Sequence, residues 1–199
     1  MRQTALRQVK LILAVFAGYL VQVSIMPYLS VDGMTPNMLI AMLAIVIVGF
    51  GWLRGVWAGL FYGIVMETLL PTVPMLNLLY YPVTALLCSL LFADKSASRL
   101  QVERSTGKSG RNRSPLVRTV LCAMVNAAIH EVVNLIYMYL SGSVWTAALL
   151  GRAFTGMMIT TLLTAVIMYP LRYLLGFRRQ EAEKPAELRF DRRPARDKA

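Results

Sequence analysis

The side chains with the most chemical potential in this chain stand inside long apolar runs. Asn126, His130 and Asn134 recur at i, i+4 and i+8, Glu131 directly follows His130, and Tyr137 lies three residues beyond Asn134. On a helix that spacing lines two amides and an imidazole along one face. A separate series, Gly55, Gly59, Gly63 and Glu67, places one residue at every fourth position and ends on a carboxylate. Arg152 opens a later apolar run. One imidazole, two carboxylates and a guanidinium are a sufficient set for proton transfer or for hydrolysis within a membrane. The arrangements such catalysts use are missing: there is no H-E-x-x-H, no G-x-S-x-G and no pair of aspartates facing one another on neighbouring apolar runs. His130 and Glu131 point about 100° apart on a helix, and the chain's single histidine has no second imidazole with which to share an ion. Asn126, His130, Glu131, Asn134 and Arg152 therefore read as a polar cluster in a non-enzymatic protein that needs neither cofactor nor metal.

Glu67 and the glycines before it have a different use. A ladder of glycines at helical spacing makes a smooth face on which another backbone can approach closely, inside the chain or on a partner. A carboxylate at membrane depth is costly unless paired or protonated, so Glu67 is expected to hold a structural hydrogen bond or a functional contact. If the helix carrying His130 enters from the cytoplasm near Val117, a rise of ~1.5 Å per residue puts His130 and Glu131 ~20 Å up, in the outer half of a bilayer, with Glu67 at a similar height. Arg152, reaching inward, is then in a position to pair with either carboxylate.

The elements that must position these residues follow from composition. Of 199 residues, 57% are apolar and only 16% charged, and 21 Lys and Arg against 10 Asp and Glu leave a net charge of +11. Ordinary soluble domains carry about 25% charged residues. From Leu11 to Phe92 the only charged residues are Asp32, Arg54 and Glu67. Positive charge confined to the flanks of apolar runs excludes a disordered chain, a disulfide scaffold and a nucleic-acid binder with a folded basic groove, and leaves an integral membrane protein. Cys88 and Cys122 each stand alone in an apolar run and read as small core residues. Arg2, Arg7 and Lys10 before an apolar stretch imitate a signal peptide, but Ser24-Ile25-Met26-Pro27 offers no small-x-small cleavage site, so this is expected to be a retained first span.

A helix needs ~20 mostly apolar residues to cross the hydrocarbon. On that measure the fold class is an all-α membrane protein with six transmembrane helices, at about 9–29, 36–52, 54–70, 75–92, 117–140 and 151–175. The second and third are short, separated only by Gly51-Trp52-Leu53-Arg54-Gly55, and a re-entrant pair would have the same hydropathy. Lys and Arg number three in the N-terminus, none from Tyr28 to Asn37, one at Arg54, none from Leu70 to Pro74, seven from Lys95 to Arg118, one at Arg152 and nine from Arg172 onward. That alternation puts both termini and a basic 93–118 loop in the cytoplasm. The loop and the tail 176–199 read as solvated, disordered segments attracted to anionic lipid headgroups. Methionines are expected to fill packing gaps, and Trp52, Trp57, Trp145 and the Tyr80-Tyr81 pair to sit in aromatic belts at the span ends.

The block from Pro36 to Leu91 carries a resemblance. Pro36-Asn37-Met38-Leu39-Ile40 is followed by an apolar run, the Gly55, Gly59, Gly63, Glu67 ladder, the turn Leu70-Pro71-Thr72-Val73-Pro74, and Asn77 at the start of another apolar run. This resembles the bacterial rod shape-determining protein MreD family: a Pro-Asp opening of the second span, a glycine ladder ended by an acidic residue, and a Gly-x-Asn-like start to the next span. Gln22, a few residues before a Pro-containing outer loop, also matches. The chain departs from the pattern at Asn37 and Glu67, where the family often has Asp, and at Met75, where a glycine is common.

The resemblance implies a non-enzymatic role in the cell-elongation, peptidoglycan-synthesis complex of the bacterial cell membrane. Its implied partners are MreC, the actin-like MreB, the glycosyltransferase RodA and a class B penicillin-binding protein, with no small-molecule substrate and no nucleic acid. Pro36, Asn37, Asn77 and the Gly/Glu ladder would then serve helix packing or a partner interface. The chain also resembles, in size and hydropathy, the substrate-binding S components of energy-coupling-factor vitamin transporters. In that case the outer-half cluster would be a ligand pocket, and Ala14 and Gly18 would match the small-residue docking face of the first span.

Overall fold

The computed structural model describes residues 2–31, 33–69, 75–92, 114–142, 144 and 146–175. Expectations placed on the turn 70–74, on Trp145, on 93–113 and on the tail 176–199 lie outside the described residues. Within them the chain is all-helical, with no strand beyond a single bridge between Val31 and Met34. The six α-helices are α1 (Arg2–Ser24), α2 (Met38–Phe50), α3 (Trp52–Leu69), α4 (Leu76–Phe92), α5 (Pro115–Leu140) and α6 (Ala147–Leu174). α1 is followed by a 3₁₀ turn, Met26–Leu29, which begins where Pro27 withdraws a backbone N–H from the ladder.

Local chemistry explains the helix ends. Asn37 caps α2, its side-chain oxygen accepting from the N–H groups of Leu39 and Ile40 at 3.1 and 3.2 Å. Ser114 caps α5 and Pro115 occupies its first turn, so the helix begins inside the stretch expected to be loop, and Leu116, Val117 and Arg118 are helical. Thr146 caps α6. Between α2 and α3 a single residue, Gly51, leaves the helix with φ 86°, a conformation that costs a glycine nothing and lets the chain reverse at once.

The reversal makes α2 and α3 an antiparallel hairpin, with Gly55 against Ile47. The same antiparallel relation joins α1 to α2 through Gly18–Met42 and Gln22–Met38. It joins α3 to α4 through Gly59–Tyr81 and Gly63–Asn77, and α5 to α6 through their short connection and the contact of Glu131 with Gly156. Gly51, Phe92, Pro115 and Leu174 therefore share one end of the bundle, and Ser24, Met38, Leu76, Leu140 and Ala147 the other.

α2 is the axis of this bundle and touches all five other helices. Every residue from Met38 to Val48 is buried, which its uniformly apolar sequence permits and a helix with one polar face would not. The outward faces of the surrounding helices are apolar too: Ile12, Leu90 and Val166 are 68%, 76% and 70% exposed. α5 and α6, with 26 and 28 residues, are long and apolar enough to cross a membrane, and little of either is buried within the chain. Apolar surface on this scale is a property of proteins in contact with lipid or with partners.

Candidate functional site: the joint at the start of the central helix

The polar groups of the bundle converge where α2 begins. The Asn37 backbone N–H donates to the hydroxyl of Thr160 on α6 at 3.1 Å, and its side-chain amide reaches the Tyr81 hydroxyl of α4 at 3.5 Å. The next N–H, that of Met38, donates to the side-chain oxygen of Gln22 on α1. Pro36, without an N–H to satisfy, is fully buried beside them. The first N–H groups of a helix have no partner within it. Here three of the four bonds that answer this need at 37–40 come from Asn37 and Gln22, and the joint binds four helices in the process. Thr160 lies about 20 Å along α6 from its first residue at ~1.5 Å per residue, so this start of α2 is recessed below the α5–α6 connection.

Glu67 performs the same service for α4. Its two carboxylate oxygens accept from the N–H groups of Met75 and Asn77, the latter at 3.2 Å, so the last turn of α3 holds the start of α4. A negative group at a helix N-terminus also meets the positive end of the helix dipole. Met75 takes φ 64°, the left-handed region that a side chain enters only at a cost.

The glycine ladder is spent inside the chain. A Cβ on Gly59 would stand 2.7 Å from the Tyr81 carbonyl oxygen and one on Gly63 2.8 Å from the Asn77 carbonyl oxygen, while one on Gly55 would meet Ile47 at 2.7 Å. α3 thus lies on the backbone of α4 over two turns, and Asn77 serves with its main chain on both sides of the contact. Gly18 faces Met42 and Tyr62 in the same way, and Ala14 is buried.

The polar face of α5 divides into two parts. Asn126 is fully buried, and its side-chain and backbone oxygens both accept from the Tyr80 hydroxyl, at 2.9 and 3.0 Å, while its Nδ2 has no hydrogen-bond partner. His130 stacks edge-on against Tyr80 with ring centroids 5.2 Å apart. Its Nδ1 meets the Asn134 amide at 3.1 Å and lies 3.7 Å from the Glu131 carboxylate. Whichever way that amide points, it satisfies Nδ1. Asn126, His130, Glu131 and Asn134 are brought together with Tyr80; Glu67 and Arg152 are not. Glu131 rests on Gly156, one turn along α6 from Arg152, but Arg152 is exposed, and among the described residues no ion pair joins it to Glu131 or Glu67.

Several participants were not singled out by sequence reasoning. Tyr80 and Tyr81, assigned to an interfacial belt, are instead core residues, 7% and 1% exposed; their rings pack edge to face, and their hydroxyls meet the buried Asn126 and the half-buried Asn37. Trp52 and Trp57 do face outward. Tyr62 is buried, donating to the Val15 carbonyl of α1 at 3.0 Å. Thr160 and Thr164 offered a signal, two hydroxyls one turn apart in an apolar run, but nothing in the sequence said which helix they would meet. Among the described residues there is no group of His, Cys, Asp and Glu able to hold a metal ion. Comparison of the chain with protein-family models, with curated proteins and with solved structures returns no match.

Proposed function

We propose that this chain is a non-enzymatic component of the bacterial cell-elongation complex, of the MreD type. It spans the cell membrane six times, with both termini in the cytoplasm. The observation that carries this reading is the shared structural use of Gln22, Pro36, Asn37, the glycine ladder, Glu67 and Asn77. The residues behind the resemblance are the ones that cap α2 and α4 and let α3 lie on α4. A sequence pattern that is consumed in building a bundle suits a protein whose surface, not whose interior, meets its partners. MreC is the proposed direct partner, with MreB, RodA and a class B penicillin-binding protein in the same assembly and no small-molecule substrate.

Charge supports the orientation. Arg54, Arg118 and Arg172 belong to the end of the bundle where α2 turns into α3, and the basic stretches 93–113 and 176–199 attach there along the chain. Positive charge of this kind retains loops in the cytoplasm and is drawn to anionic headgroups.

The S-component reading has one observation in its favour, the unpartnered Asn126 amide beside Tyr80, which is a donor a ligand could meet. Against it, the Ala14 and Gly18 face that would dock a transporter subunit is already occupied by α2 and α3. Mild-detergent affinity purification from bacterial membranes, with mass spectrometry of co-purifying proteins and small molecules, separates the two. Recovery of MreC and wall-synthesis enzymes is expected. Recovery of transporter ATPase subunits, or of a stoichiometric vitamin-like molecule, would overturn the proposal.

A further inference from the structure

α1 and α3 run parallel and are pinned to each other at mid-length, where the Tyr62 hydroxyl donates to the Val15 carbonyl and Gly18 leaves room for that hydroxyl. From that pin towards the α2–α3 turn they leave an open groove of about 450 Å³ between them. Its floor is apolar, formed by Leu11, Val15, Ala58 and Phe61. Among the described residues the charged and amide side chains that line it, Arg54 and Gln8, stand at the same end, about 10–12 Å below the pin at ~1.5 Å per residue. The Arg54 guanidinium lies over the Phe50 ring, 5.4 Å from its centroid, which keeps the charge at the mouth of the groove. Among the described residues no carboxylate lines the groove.

We propose that this groove binds one anionic phospholipid, its phosphate on Arg54 and Gln8 and an acyl chain along Leu11, Val15, Ala58 and Phe61. The inference rests on the membrane orientation proposed above, which puts Arg54 at the cytoplasmic headgroup level. Basic pockets between membrane helices on that side are where anionic headgroups bind. The groove has the polarity of a lipid, one cationic end and an apolar remainder, and its volume lies within the ~300–1,000 Å³ of small-molecule sites. A partner's apolar helix would fill the lower part and leave the guanidinium without an anion, so charge complementarity favours the lipid. Ala58 matters because it is the smallest side chain of the floor, and a larger residue there takes the volume an acyl chain needs.

The test uses the full chain reconstituted in vesicles of phosphatidylcholine alone or mixed with phosphatidylglycerol, extracted in mild detergent, with bound lipid counted by native mass spectrometry. The parent is expected to retain phosphatidylglycerol about tenfold over phosphatidylcholine, and Arg54→Gln to lose most of that preference. Ala58→Phe is expected to retain neither lipid. Ile12→Trp, altering an exposed side chain at the groove's rim, gives the same loss if Ala58→Phe fails to fold. Arg152→Gln, at the opposite end, retains lipid as the parent does. Retention unchanged in Arg54→Gln, or a parent without charge preference, would overturn the site while leaving the membrane reading intact. Failure to insert into either vesicle would overturn both. A protein cross-linked at Ile12 in place of lipid would show that the groove seats a helix.

Discussion

Both oxygens of Glu67 are committed to backbone N–H groups at the start of α4, so its removal is felt there first. Glu67→Ala should cost about 1–2 kcal/mol, the value of a lost helix cap, and Glu67→Gln, which keeps one acceptor, roughly half as much. Thermal unfolding in detergent checks this, and an alanine variant that melts with the parent would refute it. Two residues from Glu67's second contact, Met75 sits at φ 64°. A left-handed backbone costs a side chain about 1–2 kcal/mol, part of which glycine's greater freedom in the unfolded chain returns. Met75→Gly should therefore raise stability by up to about 1 kcal/mol, read in the same melting experiment. A lowered melting point would mean that the Met75 side chain contributes more than its backbone costs.

Between elements, the decisive distance is that of α3 from α4. With Gly59 and Gly63 backed onto carbonyl groups, even a methyl group must push the helices apart, because backbone cannot swing away as a side chain can. Gly59→Ala is expected to destabilise by about 1–3 kcal/mol, as overpacking does. Gly151 on α6 has nothing within 4 Å, so Gly151→Ala should be neutral or stabilising by up to about 1 kcal/mol through helix propensity. Opposite outcomes for one substitution in two helices distinguish a packed ladder from an ordinary helical glycine. Equal outcomes would show that the α3–α4 contact gives way. The interior location of the ladder also means that the partner association proposed above would use other faces, such as the outward side chains of α1, α4 and α6.

For the whole molecule, consecutive antiparallel helices commit alternate connections to opposite ends, and the proposed orientation converts this into a labelling pattern. In a background with the buried Cys88 and Cys122 replaced by alanine, Ser141→Cys at the end of α5 should react with a membrane-impermeant maleimide added to intact spheroplasts. Ser114→Cys at its beginning should react only after permeabilisation. Equal labelling of both sites from outside would refute the six-span orientation. The axial position of α2 fits the same picture: a helix of 13 residues measures ~20 Å and cannot by itself cross ~30 Å of hydrocarbon. It needs no greater length, because its recessed start is closed by the side chains of Gln22, Asn37 and Thr160.

The sequence by itself determined that the chain is helical and apolar, where its long runs lie, and where charge is excluded, because hydropathy and helical period are local properties that no neighbour is needed to express. It also marked Glu67 as a polar residue with work to do, since a carboxylate within an apolar run demands partners, whereas Asn37 stood out only through the resemblance. Which partners they have was decided by tertiary structure alone. Glu67 caps the following helix and does not join His130 and Glu131, because the packing of α3 on α4 leaves the N–H groups of Met75 and Asn77 within reach of its carboxylate. Tyr80 and Tyr81 lie in the core because α4 packs on both α3 and α5. A tyrosine near a helix end has the same signature in the sequence whether its hydroxyl meets water or a buried amide. The glycine ladder declared close approach without naming the surface approached, since spacing defines a face and only the assembled bundle says what lies against it.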